Sequence, residues 1–282
     1  MTPLYKFIGN PKLARSILGG AVKFTPPSEL NDPAELNPTF NRDAVTESLR
    51  KLRTTGYSEQ DMLHLGRQAA VLRILAPEFQ ASQVPESREV ATRRIQSTHY
   101  DSTSALDQYL MDMSHVIRSK VGFFCLSKRF DSLPMWAHYA ANATGFVVEY
   151  INLDTVFCGD ETGILRQLRD VSYEPEIEGV TFAPCSHESL FFSKYSDWSY
   201  ESEVRAVLPL AECRAQSADG RTLYLYDLPL KSLHRLVLGW NIDPSKAKDI
   251  QVAVAETNPC VQVVQAHFRR GKISIGDPCC IF

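Results

Sequence analysis

The chain has 282 residues, of which 44% are hydrophobic and 22% are charged, as is ordinary for a globular protein. Its formal net charge of -3 argues against a surface that coats nucleic acid by nonspecific phosphate contacts, and leaves room only for a local basic cleft. No run of 18 apolar residues occurs and the first residues lack an apolar signal segment, so we expect a cytoplasmic protein without a membrane association. The seven cysteines include no CxxC pair, which favours neither a disulfide framework nor a zinc site.

The first third of the chain predicts a strand, a helix and a strand, followed by a helical block. The strands are expected at 4–7 and 21–25, and the helix at 11–18, with Pro11 in its first turn and Gly19-Gly20 at its end. Helices are then expected at 43–54, 58–76, 84–98 and 103–118, with Ser58 and Asp61 as a capping pair. Residues 43–120 carry ten basic and ten acidic side chains, so this block is no basic arm; we interpret it as an inserted helical subdomain or lid.

From Val121 onward the pattern predicts mainly strands. The segments 121–126 and 145–150 are almost continuously apolar, which is typical of strands buried on both faces at the centre of a sheet. Further strands are expected at 170–173, 203–208, 222–226, 236–238 and 261–268, and a helix at 245–257. We therefore predict a single α+β domain over residues 1–282, with a mixed or antiparallel central sheet and the helical block inserted into it.

The segment that ends in Glu201, Glu203 and Arg205 carries the clearest chemical pattern. If it is a strand, side chains two positions apart share one face at a spacing of about 6.6 Å, so these three groups would project together. Such a carboxylate pair can stabilise developing positive charge, orient a sugar hydroxyl or accept a proton. The alternative is an edge strand whose solvent face carries an ion-pair ladder of little energetic weight.

Three other groups of residues are candidates for binding. Asn31 and Asp32 lie in a proline-bounded loop that is either a rigid turn or a preorganised ligand loop. Trp136, His138 and Tyr139 fall on one short helix, where the aromatic pair three positions apart is either core packing or a stacking surface for a heteroaromatic ligand. Lysines inside apolar or aromatic segments, Lys6 and Lys194, are either solvated or point-charge anchors for a phosphate, and periodicity does not decide between these.

The order of six motifs resembles a bacterial family catalogued as domain of unknown function 2971. The motifs lie at 4–7, 24–33, 124–127, 135–139, 145–146 and 198–205. This resemblance covers nearly the whole chain except the helical block, and it implies no activity by itself.

A more distant resemblance implies a chemistry. The strand that contains Lys6, the helix that ends at Gly19-Gly20 and the strand that ends at Phe24-Thr25 resemble the start of ADP-ribosyltransferases, particularly DarT-like toxins and RNA 2'-phosphotransferases. Those enzymes also place a glutamate on a late strand, and some have a Glu-x-Glu pair like Glu201-Ser202-Glu203. Lys6 stands where such families usually have His or Arg. The resemblance implies an ADP-ribosyltransferase-like fold, NAD as the substrate, an unidentified acceptor that includes nucleic acid as a candidate, and a role in toxicity or phage defence.

That resemblance assigns the expected roles as follows. Glu203 would contact the ribose hydroxyl and the cationic centre, Glu201 would orient or deprotonate the acceptor, and His138 is a further catalytic candidate. The candidates for contacts to NAD are Lys6, Thr25, Asn31, Asp32, Trp136, Tyr139 and Arg205, with the two aromatic side chains stacked on nicotinamide and the cations near the pyrophosphate.

Two other classes of function stay open. Asp32, Glu35, Glu201 and Glu203 would suit Mg²⁺ in a nuclease or phosphodiesterase if their segments met within coordination distance. Alternatively, the motifs maintain the fold of a noncatalytic module that binds a nucleotide or a protein partner. The common dinucleotide, P-loop, zincin and hydrolase-elbow signatures are absent from the sequence.

Overall fold

The computed structural model describes residues 2–32, 42–75, 77, 87–97, 118–175, 191–218 and 220–278. The α-helices of these ranges discussed below are α1 Ala14–Leu18, α2 Arg42–Thr55, α3 Glu59–Leu75, α4 Arg88–Ser97, α5 Leu133–Tyr139 and α6 Pro244–Thr257. The strands are β1 Leu4–Ile8, β2 Ala21–Phe24, β3 Val121–Ser127, β4 Phe146–Tyr150, β5 Leu168–Asp170, β6 Ser172–Glu174, β7 Ser193–Tyr195, β8 Glu203–Pro209, β9 Arg214–Ala218, β10 Arg221–Asp227, β11 Leu233–Leu238, β12 Gln262–Arg269 and β13 Lys272–Pro278.

An eight-stranded mixed sheet forms the centre of the fold. Its strand order is β13-β12-β11-β4-β1-β3-β8-β5, and within it only the β11–β12 pair is parallel. Strands β3 and β4 lie in the interior of this order, and every residue of β4 is buried. The prediction of an α+β protein with apolar runs at the sheet centre is therefore confirmed.

A second, three-stranded antiparallel sheet packs against one face of the first. It has the order β2-β10-β9, so the strand expected at 222–226 exists but belongs to this smaller sheet. Phe24 on β2 contacts the rings of Phe124 on β3 and Phe157, at centroid separations of 5.7 and 6.1 Å. Aromatic packing between the two sheets thus forms part of the main core.

Strand β1 separates from its neighbour β3 along most of its length. It pairs with β4 over five residues, but with β3 only where Tyr5 meets Ser127. The start of β3 pairs instead with Thr25, through two backbone hydrogen bonds between Thr25 and Phe123 of 2.8 and 2.9 Å. Because β3 leaves β1 in this way, a gap opens between two central strands.

Helix ends follow the chemistry expected of their residues. The backbone N–H of Gly19 caps α1, and Gly20 has the positive φ of +95° that glycine adopts without strain. Ser58 and Asp61 cap each other's backbone N–H groups at 2.7 and 3.1 Å, as predicted.

The predicted helices at 43–54, 58–76, 84–98 and 245–257 correspond to α2, α3, α4 and α6, while the helix predicted at 103–118 falls mostly outside the described residues. Helices α2 and α4 contact each other, and the interpretation of this block as an inserted subdomain or lid stays a prediction. In the ranges that the structure describes, the helices are too short or too polar to cross a membrane.

Candidate functional site

A cavity of about 230 Å³ lies at the gap between β1 and β3. Six of the predicted site residues line it: Lys6, Thr25, Asn31, Tyr139, Glu201 and Glu203. They come from β1, the residue after β2, the loop that follows, α5, the 3₁₀ helix before β8 and the start of β8. Segments distant in the sequence therefore meet around one small, partly open cavity.

A buried ionic network forms one wall of this cavity. Lys194 on β7 lies between both glutamates, with its Nζ 2.6 Å from Oε2 of Glu201 and 2.9 Å from Oε2 of Glu203. Arg205 binds Glu203 in a bidentate manner at 2.9 Å for each contact, and it donates a further bond of 2.8 Å to the carbonyl oxygen of Phe191. All four charged side chains are almost fully buried. Two cations thus balance two anions inside the protein.

The surroundings of Glu203 keep it ionised. Burial alone would raise the pKa of its carboxyl, but the charges of Arg205 and Lys194, together with the Arg205 hydrogen bonds, hold that pKa well below its usual range. A buried carboxylate of this kind offers a fixed negative charge in surroundings of low dielectric constant. It suits a role as an electrostatic stabiliser better than a role as a general acid.

Tyr139 connects the second glutamate to the early loop. Its hydroxyl donates to Oε1 of Glu201 and accepts a hydrogen bond from Nδ2 of Asn31. Burial and the charge of Glu201 raise the pKa of Tyr139 far above its ordinary value, so the phenol stays protonated and keeps donating. Asn31 and Tyr139, both predicted as ligand contacts, therefore lie in one hydrogen-bonded chain with Glu201.

Glu201 reaches the cavity by a different local structure from the one predicted. Residues Ser196–Glu201 form a 3₁₀ helix, Ser202 has left-handed backbone angles of φ 46° and ψ 51°, and β8 begins only at Glu203. The expectation that Glu201 shares a strand face with Glu203 and Arg205 was therefore wrong for Glu201. The Ser127 hydroxyl donates to the Glu201 carbonyl at 2.6 Å, which fixes this turn beside β3.

Lys6 spans the gap between the separated strands. Its Nζ donates to the carbonyl oxygen of Cys125 on β3 at 2.8 Å and lies 5.7 Å from the centroid of the Phe124 ring. Within the described part of the chain, no carboxylate forms an ion pair with Lys6. It therefore supplies a cation at the cavity wall that the buried network does not neutralise.

Four predicted residues lie away from the cavity. Trp136 is fully buried, donates from Nε1 to the Phe130 carbonyl at 2.6 Å and packs edge-on against Phe7, so it belongs to the core. His138 is exposed and has its ring 6.1 Å from that of Tyr200. Asp32 is buried but does not line the cavity, and Arg205 lies behind Glu203.

Some of the cavity wall carried little signal in the sequence. The sequence indicated only that Lys194 is either solvated or an anchor for a phosphate. It did not predict that Lys194 would bridge both glutamates. The partly exposed Cys125 thiol on β3 lines the cavity and helps to lower the pKa of the Glu203 carboxyl. Burial first, and then the charge of Glu203, raise the pKa of this thiol well above its usual range, so it is an unreactive thiol rather than a nucleophile.

A second buried carboxylate lies on β4, outside the cavity. Glu149 contacts Nδ1 of His234 at 2.6 Å and Nη2 of Arg235 at 3.0 Å. Burial and then the charge of Glu149 raise the pKa of the neighbouring Tyr5 to about 12. Glu149 is thus a buried glutamate with cationic or polar partners, comparable with Glu203; Glu149 itself does not line the cavity, although its neighbour Tyr5 does.

Comparison with known proteins returned one family match. Residues 135–206 match the profile of a family described as "Protein of unknown function (DUF2971)". No curated protein matches the chain, and no solved structure does either. The matched stretch runs from α5 into β8, which is shorter than the motif resemblance described above, and it supports that family resemblance without adding an activity.

Proposed function

We propose that the protein is an ADP-ribosyltransferase-like enzyme that binds NAD in the cavity between β1 and β3 and transfers ADP-ribose to an acceptor. The observation that carries this proposal is the meeting of Lys6, Thr25 and Glu203 at one cavity. These residues lie on β1, at the end of β2 and at the start of a late strand, the places where the resemblance puts contacts to NAD and the glutamate. A gap between two central strands gives a ligand access to the backbone edges of both.

Glu203 is the catalytic residue of this proposal. The bond between C1' of the ribose and the nicotinamide nitrogen breaks, and its electron pair leaves with neutral nicotinamide. The ribose carbon then carries positive charge, which the ionised Glu203 carboxylate stabilises in a buried environment. Because Arg205 and Lys194 keep Glu203 ionised, no proton has to be removed before the reaction begins.

Glu201 and Lys6 complete the assignment. An oxygen or nitrogen nucleophile of the acceptor forms the new bond to C1', and its proton passes to the Glu201 carboxylate and then to solvent. The cation of Lys6 faces the pyrophosphate charge. The cavity volume of about 230 Å³ is below the range of about 300–1,000 Å³ that encloses a drug-sized ligand, so it holds only part of the NAD molecule.

A noncatalytic nucleotide-binding module is the second candidate, and one observation favours it. Glu201 and Glu203 already have hydrogen-bonded or ion-paired partners within the chain, namely Tyr139, Lys194 and Arg205. A network of this kind can hold a fold together without any chemistry. In that case Lys6 would contact a bound phosphate and no bond would break.

The metal-dependent nuclease has less support. Lys194 and Arg205 occupy the carboxylate oxygens that Mg²⁺ would need, and Asp32 does not line the cavity. Among the described residues, no group of three or more His, Cys, Asp or Glu side chains is placed to hold a metal ion. Glu35, the fourth residue of that hypothesis, lies outside the described residues.

Nicotinamide release from NAD tests the proposal directly. Purified wild-type protein should release nicotinamide, measured by liquid chromatography, and Glu203→Gln should lower the rate by about 100-fold or more, the scale on which removal of a transition-state stabiliser acts. Glu149→Gln is the matched control, because it also removes a buried, paired carboxylate but lies outside the cavity. It should keep the wild-type rate, and circular dichroism should show that both variants fold.

The same experiment separates the competing functions. NAD that binds in calorimetry but releases no nicotinamide, with and without Glu203→Gln, would favour the binding module. Cleavage of an oligonucleotide that requires Mg²⁺ would favour the nuclease. A protein that neither binds NAD nor releases nicotinamide would refute the proposed function.

A further inference from the structure

A groove far from the β1–β3 gap in the sheet order suggests a second binding surface. It lies between α6 and strand β12 and has a volume of about 670 Å³. Trp240 lines it, together with Lys248 and Gln251 from α6 and Gln265 and His267 from β12. This volume falls within the range of about 300–1,000 Å³ typical of ligand-sized pockets.

Cations extend from this groove along the β12–β13 hairpin. Arg269, Arg270 and Lys272 are all exposed, and none of them forms an ion pair with a carboxylate of the described residues. The stretch 257–276 contains no Asp or Glu at all. At the neighbouring α6, the charges of Lys246 and Lys248 are matched in number by those of Asp243 and Asp249, so the net positive charge belongs to the hairpin. This basic surface contrasts with the net charge of -3 of the whole chain.

The hairpin holds its like charges in an unfavourable arrangement. Arg269 and Lys272 are direct cross-strand partners, and like charges in such positions destabilise a strand pair. The turn between them is formed by Arg270 and Gly271, with φ values of 51° and 77°, and a non-glycine residue at positive φ adds strain. An anion placed across this end of the hairpin would relieve the charge repulsion.

An aromatic side chain accompanies the cations. Trp240 stacks on Phe268 at a centroid separation of 5.5 Å and an interplanar angle of 25°, and it also contacts Trp136 in the core at 5.2 Å. Both contacts fix the indole that lines the groove, so it can receive a planar ring at little cost in side-chain entropy. Base stacking on such a side chain does not depend on the identity of the base.

We propose that this groove and hairpin bind single-stranded nucleic acid, with a base on Trp240 and the phosphates along His267, Arg269 and Lys272. His267 and Arg269 are two residues apart on β12, about 6.6 Å from each other, and Lys272 lies opposite Arg269 on β13, so the three groups extend along and across the hairpin rather than surrounding one point. A row of cations matches a chain of phosphates, whereas a free mononucleotide would need a cluster. The binding does not depend on the proposed NAD chemistry, but it would name the acceptor class if both hold.

Fluorescence anisotropy with a labelled 20-mer of deoxythymidine or uridine tests the proposal. The wild-type protein should bind either oligonucleotide, with an affinity that falls as salt rises. The triple variant Arg269→Gln, Arg270→Gln, Lys272→Gln should bind at least tenfold more weakly, and the slope of log affinity against log salt should become less steep by about 2. The triple variant Lys12→Gln, Arg221→Gln, Lys231→Gln loses the same charge from other exposed positions and should retain wild-type binding.

A spectroscopic signature reports on the stacking contact. In a Trp198→Phe background, fluorescence comes from the buried Trp136 and from Trp240, so oligonucleotide binding should quench the Trp240 contribution. Three results would overturn the proposal: no binding at low salt, equal weakening by both triple variants, or equally effective competition by polyglutamate. NAD turnover is measured separately, so a failure here leaves the cavity proposal standing, and the reverse also holds.

Discussion

Removal of Lys194 should cost far more stability than removal of an exposed lysine that has an ion pair of the same length. Lys194→Met deletes an ammonium group that is 2.6 and 2.9 Å from two buried carboxylates. At an effective dielectric constant of about 20, one pair of unit charges at 2.9 Å attracts with about 6 kcal/mol, which the loss of hydration largely offsets. What remains after one partner is removed is an uncompensated buried charge, so the free energy of unfolding should fall by about 3–5 kcal/mol.

Lys128→Met is the matched control for this prediction. Lys128 also lies 2.6 Å from a carboxylate oxygen, that of Asp170, but 45% of the Lys128 side chain and 68% of the Asp170 side chain are exposed. Its removal should therefore change the free energy of unfolding by about 0–1 kcal/mol. Urea denaturation followed by far-ultraviolet circular dichroism measures both values. Equal costs for the two variants, or a cost below about 1 kcal/mol for Lys194→Met, would refute the claim that burial makes this network expensive to break.

A double variant tests where the cost arises. Lys194→Met combined with Glu201→Gln removes a buried anion together with its cation. If the penalty comes from an unpaired charge, the double variant should be less destabilised than the sum of the two single variants, by about 0.5–3 kcal/mol. A strictly additive result would instead assign the loss to packing of the lysine side chain.

Three further results follow from the structure. Glu203 has a lowered pKa in the folded state, so its ionised form stabilises the protein above the ordinary pKa of a glutamate, and this contribution disappears in acid. The free energy of unfolding in urea should therefore fall less steeply below about pH 4.5 in Glu203→Gln than in the wild type. A Cβ at Gly145 would lie 2.0 Å from a backbone oxygen of β1, so Gly145→Ala should lower the melting temperature. A Cβ at Gly66 in α3 meets nothing within 4 Å, so Gly66→Ala should raise the free energy of unfolding by about 1 kcal/mol. Iodoacetamide at pH 8 should label the exposed Cys158 before the less exposed Cys125, whose thiol has a raised pKa. Mass spectrometry that finds Cys125 labelled first would contradict this expectation.

The fold was predictable where burial alone decides it. The continuous apolar runs of β3 and β4 indicated central strands, and the capping residues of α1 and α3 marked helix ends correctly. The edge strand β13 was not predicted, because its alternation rests on only two apolar residues, Ile273 and Ile275, and it becomes a strand through its pairing with β12. The sequence of β13 alone does not show which strand will pair with it. The same reason explains why the strand at 222–226 was predicted without its assignment to the second sheet.

The site was predictable as a set of residues but not as an arrangement. The alternation of Glu201, Glu203 and Arg205 suggested one strand face, yet the left-handed backbone at Ser202 ends a 3₁₀ helix there. Glu201 nevertheless meets Glu203, because Lys194 attracts both carboxylates from a different strand. The prediction that Trp136 contacts a ligand was wrong. Its indole lies near polar residues in the sequence, but its N–H donates to a backbone carbonyl inside the core.

The predicted site residues that line the cavity come partly from the stretch that matches the family and partly from the first 31 residues of the chain. The matched stretch 135–206 contains Tyr139, Lys194, Glu201, Glu203 and Arg205, which is the whole buried ionic network with the phenol that extends it. Lys6, Thr25 and Asn31 face this network from outside the matched stretch. The network is neutral and internally satisfied, so by itself it has little reason to attract an anion. The uncompensated cation comes from β1, and the gap that admits a ligand exists because β3 pairs with Thr25 rather than with β1. Ligand binding should therefore be more sensitive to Lys6, and stability more sensitive to Lys194, although both lysines line the same cavity.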